Sequence, residues 1–561
     1  MRCRSLLSSL AWFKVRGLGE EPTREREGPS QLRLLVSAGV CAALLTPLAA
    51  CGGNAPQIVD YAPQRNAVDV STAAPIKITF DHAVDRGSIE TRLRLAPPTT
   101  GSVRWLSDRQ LVYEHPTLRT NTTYEVILEA GYRDMAGDTY SLRHHWSFRT
   151  EGAPAMVGST PSDGDTGVDP SAYLTIDFSR SMAAATLRSA LTFVPAVPFD
   201  VRLDPTDSRR AIIAPAQLLN PNTAYELAID TAALDVDGNQ LDRDQTISFT
   251  TGAPRPLKHW ITFATHRSDG SSGALWMVNE AGFPRQLFAL SPVIGFNWSP
   301  AGDAVLIESD GERWSELVPG NGAVALPFKA TWASALAPGM GYVYIDESGT
   351  LHRMAAGGAD EVIAADVAQA SVAPTGLRVA FIEGAPDPNE IWGYDVGLRA
   401  RYELALDSGP VTAIAWAPAG NRIAYLRADV NSTSLRVRNL AGAGTTVTVA
   451  SGDLGSPVWL ADSTHVVLEA AVQGPTGVGH KAFIVNVVAP PVALSSALGL
   501  PLDPAIDVLS PVPSPDGHQI AFLSGDQIWL MNADGSRPTP LTRFDPQTFP
   551  YSCSDPAWTK A

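Results

Sequence analysis

Few residues in this chain of 561 are spaced for chemistry, and the clearest is a cysteine. Leu34–Ala50 is an apolar run behind Arg33, and it ends Leu48-Ala49-Ala50-Cys51-Gly52. A short apolar core, small residues and then a cysteine predict cleavage before Cys51 and acylation of its thiol and new amino group. The run is at the lower edge of spanning length and carries Pro47 near its end, which favours a cleaved signal over a membrane helix. Residues 1–30 are long and charged for a signal's leading segment. A misassigned upstream start codon accounts for them, so residues 1–50 are set apart from the fold and 51–55 read as a lipidated linker.

A second group of residues could hold a metal. Asp235, Asp237, Asn239, Asp242 and Asp244 crowd one loop, and Asp163, Asp165 and Asp169 crowd another. Calcium prefers such oxygen-rich loops, which makes Asp235, Asp237, Asn239 and Asp242 candidate ligands. An ordinary solvated turn explains the same residues, because Asp and Asn cap their own backbone in turns. No bidentate Glu sits at the twelfth position that an EF-hand requires.

Motifs for catalysis are missing. There is no Gly-x-Ser-x-Gly elbow, no His-Glu-x-x-His and no paired Cys-x-x-Cys. The ten histidines are scattered, with His144-His145 in a strand-like stretch. No catalytic residue is therefore assigned, and an enzyme is not expected.

The elements that carry these residues come in two repeats. From residue 257 onward an anchor residue, a tight turn and an apolar strand recur. The anchors are read at Trp298, Trp332, Val372, Trp416, Trp459, Pro513 and Trp558. The Trp332 copy is degraded. Ala301-Gly302, Thr375-Gly376, Ala419-Gly420 and Asp516-Gly517 supply the turns. A third strand follows at Leu275-Trp276-Met277, Ile391-Trp392-Gly393 and Ile528-Trp529-Leu530. Several short strands at a period of roughly 35–55 residues predict a β-propeller, of seven blades or alternatively six. Trp558 has no strand after it and Trp260-Ile261-Thr262-Phe263 has no anchor before it, so one blade is expected to close from both ends. Tryptophans that recur in most blades read as blade packing rather than ligand stacking.

Residues 56–254 hold one unit written twice. Leu118–Tyr124 matches Leu219–Tyr225, Asp134-Met-Ala-Gly137-Asp138 matches Asp235-Val-Asp-Gly238-Asn239, and Ser147-Phe148-Arg-Thr150 matches Ser248-Phe249-Thr-Thr250. Ile76–Phe80 and Leu174–Phe178 alternate as half-buried strands do. Units of about 100 residues with this texture predict Ig-like sandwiches at 56–153 and 154–254. The segment Thr251–Pro256 reads as a hinge before a propeller at 257–561.

These repeats resemble known families. The propeller copies, best in Pro511–Thr542, resemble the TolB-like repeat, a relative of the WD-type repeat. The double unit resembles the bacterial Ig-like domain of the SbsA surface-layer type. The Cys51 box resembles a bacterial lipoprotein signal. Together they imply an all-β, lipid-anchored protein on the extracytoplasmic face of a bacterial cell membrane. The Ig-like pair is then a spacer, and the propeller a binding or scaffold module for a protein, peptide or envelope polymer. An extracytoplasmic propeller enzyme, with a metal or acidic site in its channel, and a structural envelope component are the alternatives. Clustered Asp, Glu and His in the channel would favour the enzyme.

Composition is consistent with this. Of the four cysteines, Cys3, Cys41 and Cys51 belong to the signal, so Cys553 has no partner for a disulfide. The net charge is −16, and the first fifty residues carry seven Lys/Arg against four Asp/Glu, which leaves the rest more acidic still. Such a balance without basic clusters argues against nucleic acid as a partner.

Overall fold

The computed structural model describes residues 55–267, 271–289, 292–384, 389–441, 446–474, 477–488, 498–499, 506–544 and 551–560. Among them no helix is long and apolar enough to cross a membrane.

The first sandwich pairs a four-stranded sheet with a three-stranded one. In the first, Ile58–Ala62, Ile76–Phe80, Gln110–Glu114 and Ser102–Ser107 lie side by side; the second holds Leu93–Ala96, Thr123–Leu128 and His144–Arg149. Alternate residues point inward, so Ile76, Ile78 and Phe80 meet Trp146 and Phe148 in one core. The second sandwich repeats the plan with Met156–Thr160, Leu174–Phe178, Arg210–Pro215 and Phe199–Leu203 in one sheet. Asp165–Val168, Gln245–Thr251, Ala224–Ile229 and Leu191–Val194 form the other. The copies share a corner device. The Tyr124 hydroxyl accepts the Arg119 N–H at 3.1 Å, and the Tyr225 hydroxyl accepts the Asn220 N–H at 2.9 Å.

Seven four-stranded antiparallel sheets follow among the described residues. One runs Leu509–Pro513, Gln519–Ser524, Gln527–Asn532, Thr539–Pro540. Five others begin at Gly295–Trp298, Trp332–Ala335, Val367–Val372, Val411–Trp416 and Val458–Trp459. The seventh is split: Tyr551–Trp558 pairs with Ile261–Arg267, Ile261 facing Trp558, and Ser272–Val278 and Arg285–Phe288 complete it. The apolar cores lie between sheets rather than within them. Each neighbouring pair shares one cluster, and the cluster of Phe263, Ala521, Ile528 and Trp558 joins the last sheet to the split one. A ring of twisted sheets that bury both faces against neighbours is a propeller, and the split sheet closes it.

The anchor tryptophans are inter-sheet packing. Trp416, Trp459 and Trp558 donate their indole N–H to Ser371, Ala415 and Val512 carbonyls of the preceding sheet's first strand, at 3.0, 3.1 and 2.9 Å. Trp298 donates to the Thr262 hydroxyl at 2.9 Å. Trp332 departs from its expected place. The hairpin bond from Ser299 N–H to Ala304 carbonyl has its counterpart from Leu336 N–H to Gly341 carbonyl, which makes Ala335 the anchor of that sheet. Trp332 lies three residues earlier, at the start of the strand.

The expected hinge at Thr251–Pro256 joins two packed bodies. Arg285 of the split sheet is fully buried, and it donates to the Ser171 and Ala172 carbonyls of the second sandwich at 2.8 and 3.2 Å. Its guanidinium lies 4.1 Å from the Tyr173 ring centroid, and the Tyr173 hydroxyl donates to Asn279 at 3.0 Å. Burial lowers the Arg285 pKa to about 10, and the group stays charged.

Candidate functional site

The site follows from the repeat itself. In each sheet the anchor faces the first or second residue of the second strand, and the residue three positions beyond that partner packs behind the first strand. At this position five sheets carry Ala264, Ile345, Ile382, Leu426 and Leu523. The other two carry Glu308 and Glu469. A carboxylate where neighbours place an apolar side chain costs desolvation unless something uses it.

Both glutamates are uncovered by glycine. Gly295 stands opposite Glu308, and a Cβ there would lie 3.2 Å from the carboxylate. A Cβ on Gly455 would fall 2.3 Å from Cγ of Glu469, so no other residue fits without moving that side chain. The two carboxylates therefore look past the first strands into a cavity of about 750 Å³. The first strands of five sheets converge on this cavity, which is the central channel. Asp555, Trp332, Phe296 and Ser456 also line it, and among the described residues no Lys, Arg or His does.

The partners of these groups differ. One oxygen of Glu469 accepts the Ser510 N–H at 2.6 Å, and the other lies 3.6 Å from His480 Nδ1. Among the described residues the Glu308 carboxylate has no hydrogen bond and no ion pair, and burial, then the charge of Glu312, raises its pKa. The Trp332 indole has no hydrogen-bond partner among the described residues, unlike the four anchor tryptophans. The channel thus offers fixed negative charge beside an aromatic face.

The candidate calcium ligands lie elsewhere, at the junction of the two sandwiches. Glu151, Asp235 and Asp237 bring three ligand atoms within 4.8 Å of one another. Glu151 came from outside the acidic loop, and only the fold brings it there. Asp242 is exposed and takes no part in this group. The oxygens are already engaged. Glu151 accepts Arg180 Nη1 at 2.6 Å, the Asn239 amide at 3.0 Å and the Thr72 N–H at 3.1 Å. Asp235 accepts the N–H groups of Asp237 and Asn239 at 3.0 and 2.8 Å, and Asp237 accepts the Ser71 hydroxyl at 2.7 Å. A calcium ion would have to displace Arg180 and the Asn239 amide, so the arrangement fits a clamp between domains better than an ion. In the other loop, Asp165 and Asp169 accept the N–H groups of Ser162 and Ser171 at 2.8 Å, as in ordinary turns, and Asp163 accepts the Ser248 N–H of a neighbouring strand at 2.8 Å.

Cys51, the acylation site read from the sequence, lies outside the described residues. Glu308, Glu469 and the role of Trp332 were missed by sequence reading. The signal was available, since aligning the repeats on their hairpins sets two glutamates against five apolar residues.

Comparison with known proteins bears on the fold. No curated protein matches the chain. Among solved structures it is similar to TolB from Acinetobacter baumannii, at 16% identity over 67% of this chain and 85% of that one, with a TM-score of 0.36. A putative TolB from Agrobacterium tumefaciens is 16% identical over 52% and 90%, with a TM-score of 0.32. An oligogalacturonate lyase from Vibrio parahaemolyticus is 10% identical over 52% and 87%, with a TM-score of 0.37. The bacterial Ig-like domain family matches twice. Residues 53–150 and 151–251 are accordingly two bacterial Ig-like domains, set ahead of a β-propeller in an all-β chain.

Proposed function

We propose that the protein is an extracytoplasmic binding protein, lipid-anchored through Cys51, whose Ig-like pair presents the propeller and whose channel receives a protein, peptide or envelope polymer. The observation that carries this reading is the pair Glu308 and Glu469, placed where every other sheet is apolar and uncovered by Gly295 and Gly455. Bacterial Ig-like domains suggest an envelope protein facing outward from the cytoplasm. Partly buried carboxylates beside an aromatic wall suit the convergent polar groups of a ligand site.

One observation favours a second reading. The raised pKa of Glu308 would suit a general acid, as in an enzyme with an acidic channel. Release of product from an envelope polymer, lost in Glu308→Gln, would decide for it.

The binding reading is tested with a photo-crosslinking amino acid in living cells. Adducts are expected from position 332 and not from Val157 or Leu106, which are exposed on the Ig-like domains. Adducts from those two sites alone would move the binding site to the sandwiches. Mass spectrometry of the mature protein should show acylated Cys51, and Cys51→Ser should release it from the membrane. An unmodified Cys51 in membrane-bound protein would remove the anchor.

A further inference from the structure

We propose that the channel recognises a cationic side chain, lysine or arginine, on a polypeptide segment of the partner. This rests on the channel being the binding site and names the chemistry of what enters it.

The lining chemistry has one sign. Glu308, Glu469 and Asp555 supply carboxylates from three different sheets, and among the described residues no cationic side chain lines the cavity. His480 stands behind Glu469 at 3.6 Å, and His266 bonds the Ser554 hydroxyl next to Asp555. Glu469 is held in place by the Ser510 N–H, whereas Glu308 has no partner among the described residues. An unpaired carboxylate in a partly desolvated channel is stabilised by an incoming positive charge.

A bare metal ion suits the channel less well. Among the described residues only Glu151, Asp235 and Asp237 bring three such ligand atoms within 4.8 Å of one another. The channel carboxylates are spread too far for one ion to bridge all three, so an organic cation fits them better.

The remaining lining selects the kind of organic cation. Trp332 presents an aromatic surface with its indole N–H unpaired, and tryptophan is the aromatic side chain that attracts cations best. Phe296, Val458, Val512 and Pro556 form apolar wall between the acidic groups. Lysine and arginine carry their charge on an apolar stem, which such a wall covers. An amino-sugar polymer carries its amine on a polar ring and leaves that wall unused.

The repeat shows that this chemistry is specific to three sheets, two with a glutamate and one with Trp332. Five sheets keep an apolar residue at the glutamate position, and Trp332 occupies a position that holds Gly295, Ser456, Ser510 or Asp555 in four other sheets. Three departures from the repeat thus open on the same cavity.

The test is calorimetric titration of the full-length protein with trilysine, trialanine, triglutamate and a glucosamine trimer at physiological salt. Trilysine is expected to bind at one site, and Glu308→Gln with Glu469→Gln should weaken it at least about tenfold. Trp332→Ala should weaken it about fivefold or more. The control is Glu226→Gln with Glu403→Gln, which removes the same formal charge from exposed positions and should leave trilysine binding within about twofold. Thermal melts confirm that each variant is folded. Lowering the pH through the carboxylate range should weaken trilysine binding, with Glu308 protonating above the usual range.

Equal losses in the channel pair and the control pair would reduce the effect to net charge and overturn the proposal. Trialanine or triglutamate binding that depends on Trp332 would keep the channel as the site and overturn the cation. Binding of the glucosamine trimer without trilysine would assign the channel to a polymer amine and overturn the peptide. Failure of every probe to respond to the channel variants would overturn both the cation and the channel.

Discussion

The molecule gathers carboxylates in two places, the sandwich junction and the propeller channel, and only one of them is complete. At the junction every named acid has a donor: Arg180, the Asn239 amide, the Ser71 hydroxyl and backbone N–H groups. In the channel Glu308 has none among the described residues and Asp555 is exposed. A satisfied buried network holds parts together and specifies their geometry. An unsatisfied one at a position where the repeat is otherwise apolar is what the proposed binding role requires. Acidic clustering alone does not separate the two; the state of the oxygens does.

The largest effect that tests this separation comes from the tryptophans. Trp416 is buried with its N–H paired, so Trp416→Ala should cost about 3–5 kcal/mol and lower the propeller's melting temperature sharply. Trp332→Ala should cost less than about half of that, because its ring is only partly buried. Equal losses would show that Trp332 is packing after all.

Next comes the junction. Arg180→Ala leaves Glu151 buried without its cation and should destabilise the Ig-like pair by about 3 kcal/mol, read by chemical denaturation. Replacing both with apolar residues, Arg180→Met with Glu151→Leu, should recover most of the loss. Similar stability of the single variant and the wild type would mean the junction is loose and its carboxylates free.

A smaller effect of opposite sign is expected in the channel. Burial raises the Glu308 pKa in the folded state, so between the unfolded and folded values the native protein holds the extra proton. Stability therefore falls as pH rises through that window, and at neutral pH the charge is a standing cost. Glu308→Gln should raise the melting temperature by about 1–3 °C at pH 7, with the gain vanishing below the ordinary carboxylate range. A loss of stability at pH 7 would give Glu308 a structural partner and erase the contrast with the junction.

The smallest expected effect is that of calcium. A cation site gives about 2.7 kcal/mol when the ion is a hundredfold above its Kd. With Arg180 and Asn239 holding the oxygens, millimolar calcium should move the melting temperature by less than about 1 °C. A rise of several degrees, lost in Asp235→Asn, would make the junction a metal site.

Much of this architecture was legible beforehand. The doubled Phe-x-Thr ending at Phe148 and Phe249 marked two sandwiches, and both strands pair as the alternation requires. The lone anchor at Trp558 and the lone strand at Trp260–Phe263 marked a blade closed from two ends, and Ile261 pairs with Trp558. Trp332 was misread as an anchor, because an aromatic at the start of a strand looks like one at its end, three residues on, when only sequence is seen. The Thr251–Pro256 segment read as a hinge because composition shows a flexible chain and says nothing of Arg285, which reaches from the propeller to Ser171 and Ala172 of the second sandwich.

Local pattern by itself determined which segments are strands, where they turn and that they repeat, since alternation, turn residues and period are properties of neighbours along the chain. It also supplied the proposal for Cys51, which rests on a short linear box. Tertiary structure alone decided which acids matter. Glu151 is brought to Asp235 from 84 positions away in the chain, and Glu308, Glu469 and Asp555 reach one channel from three sheets. Whether a carboxylate is paired depends on groups distant in sequence, and so does the desolvation that gives it a use.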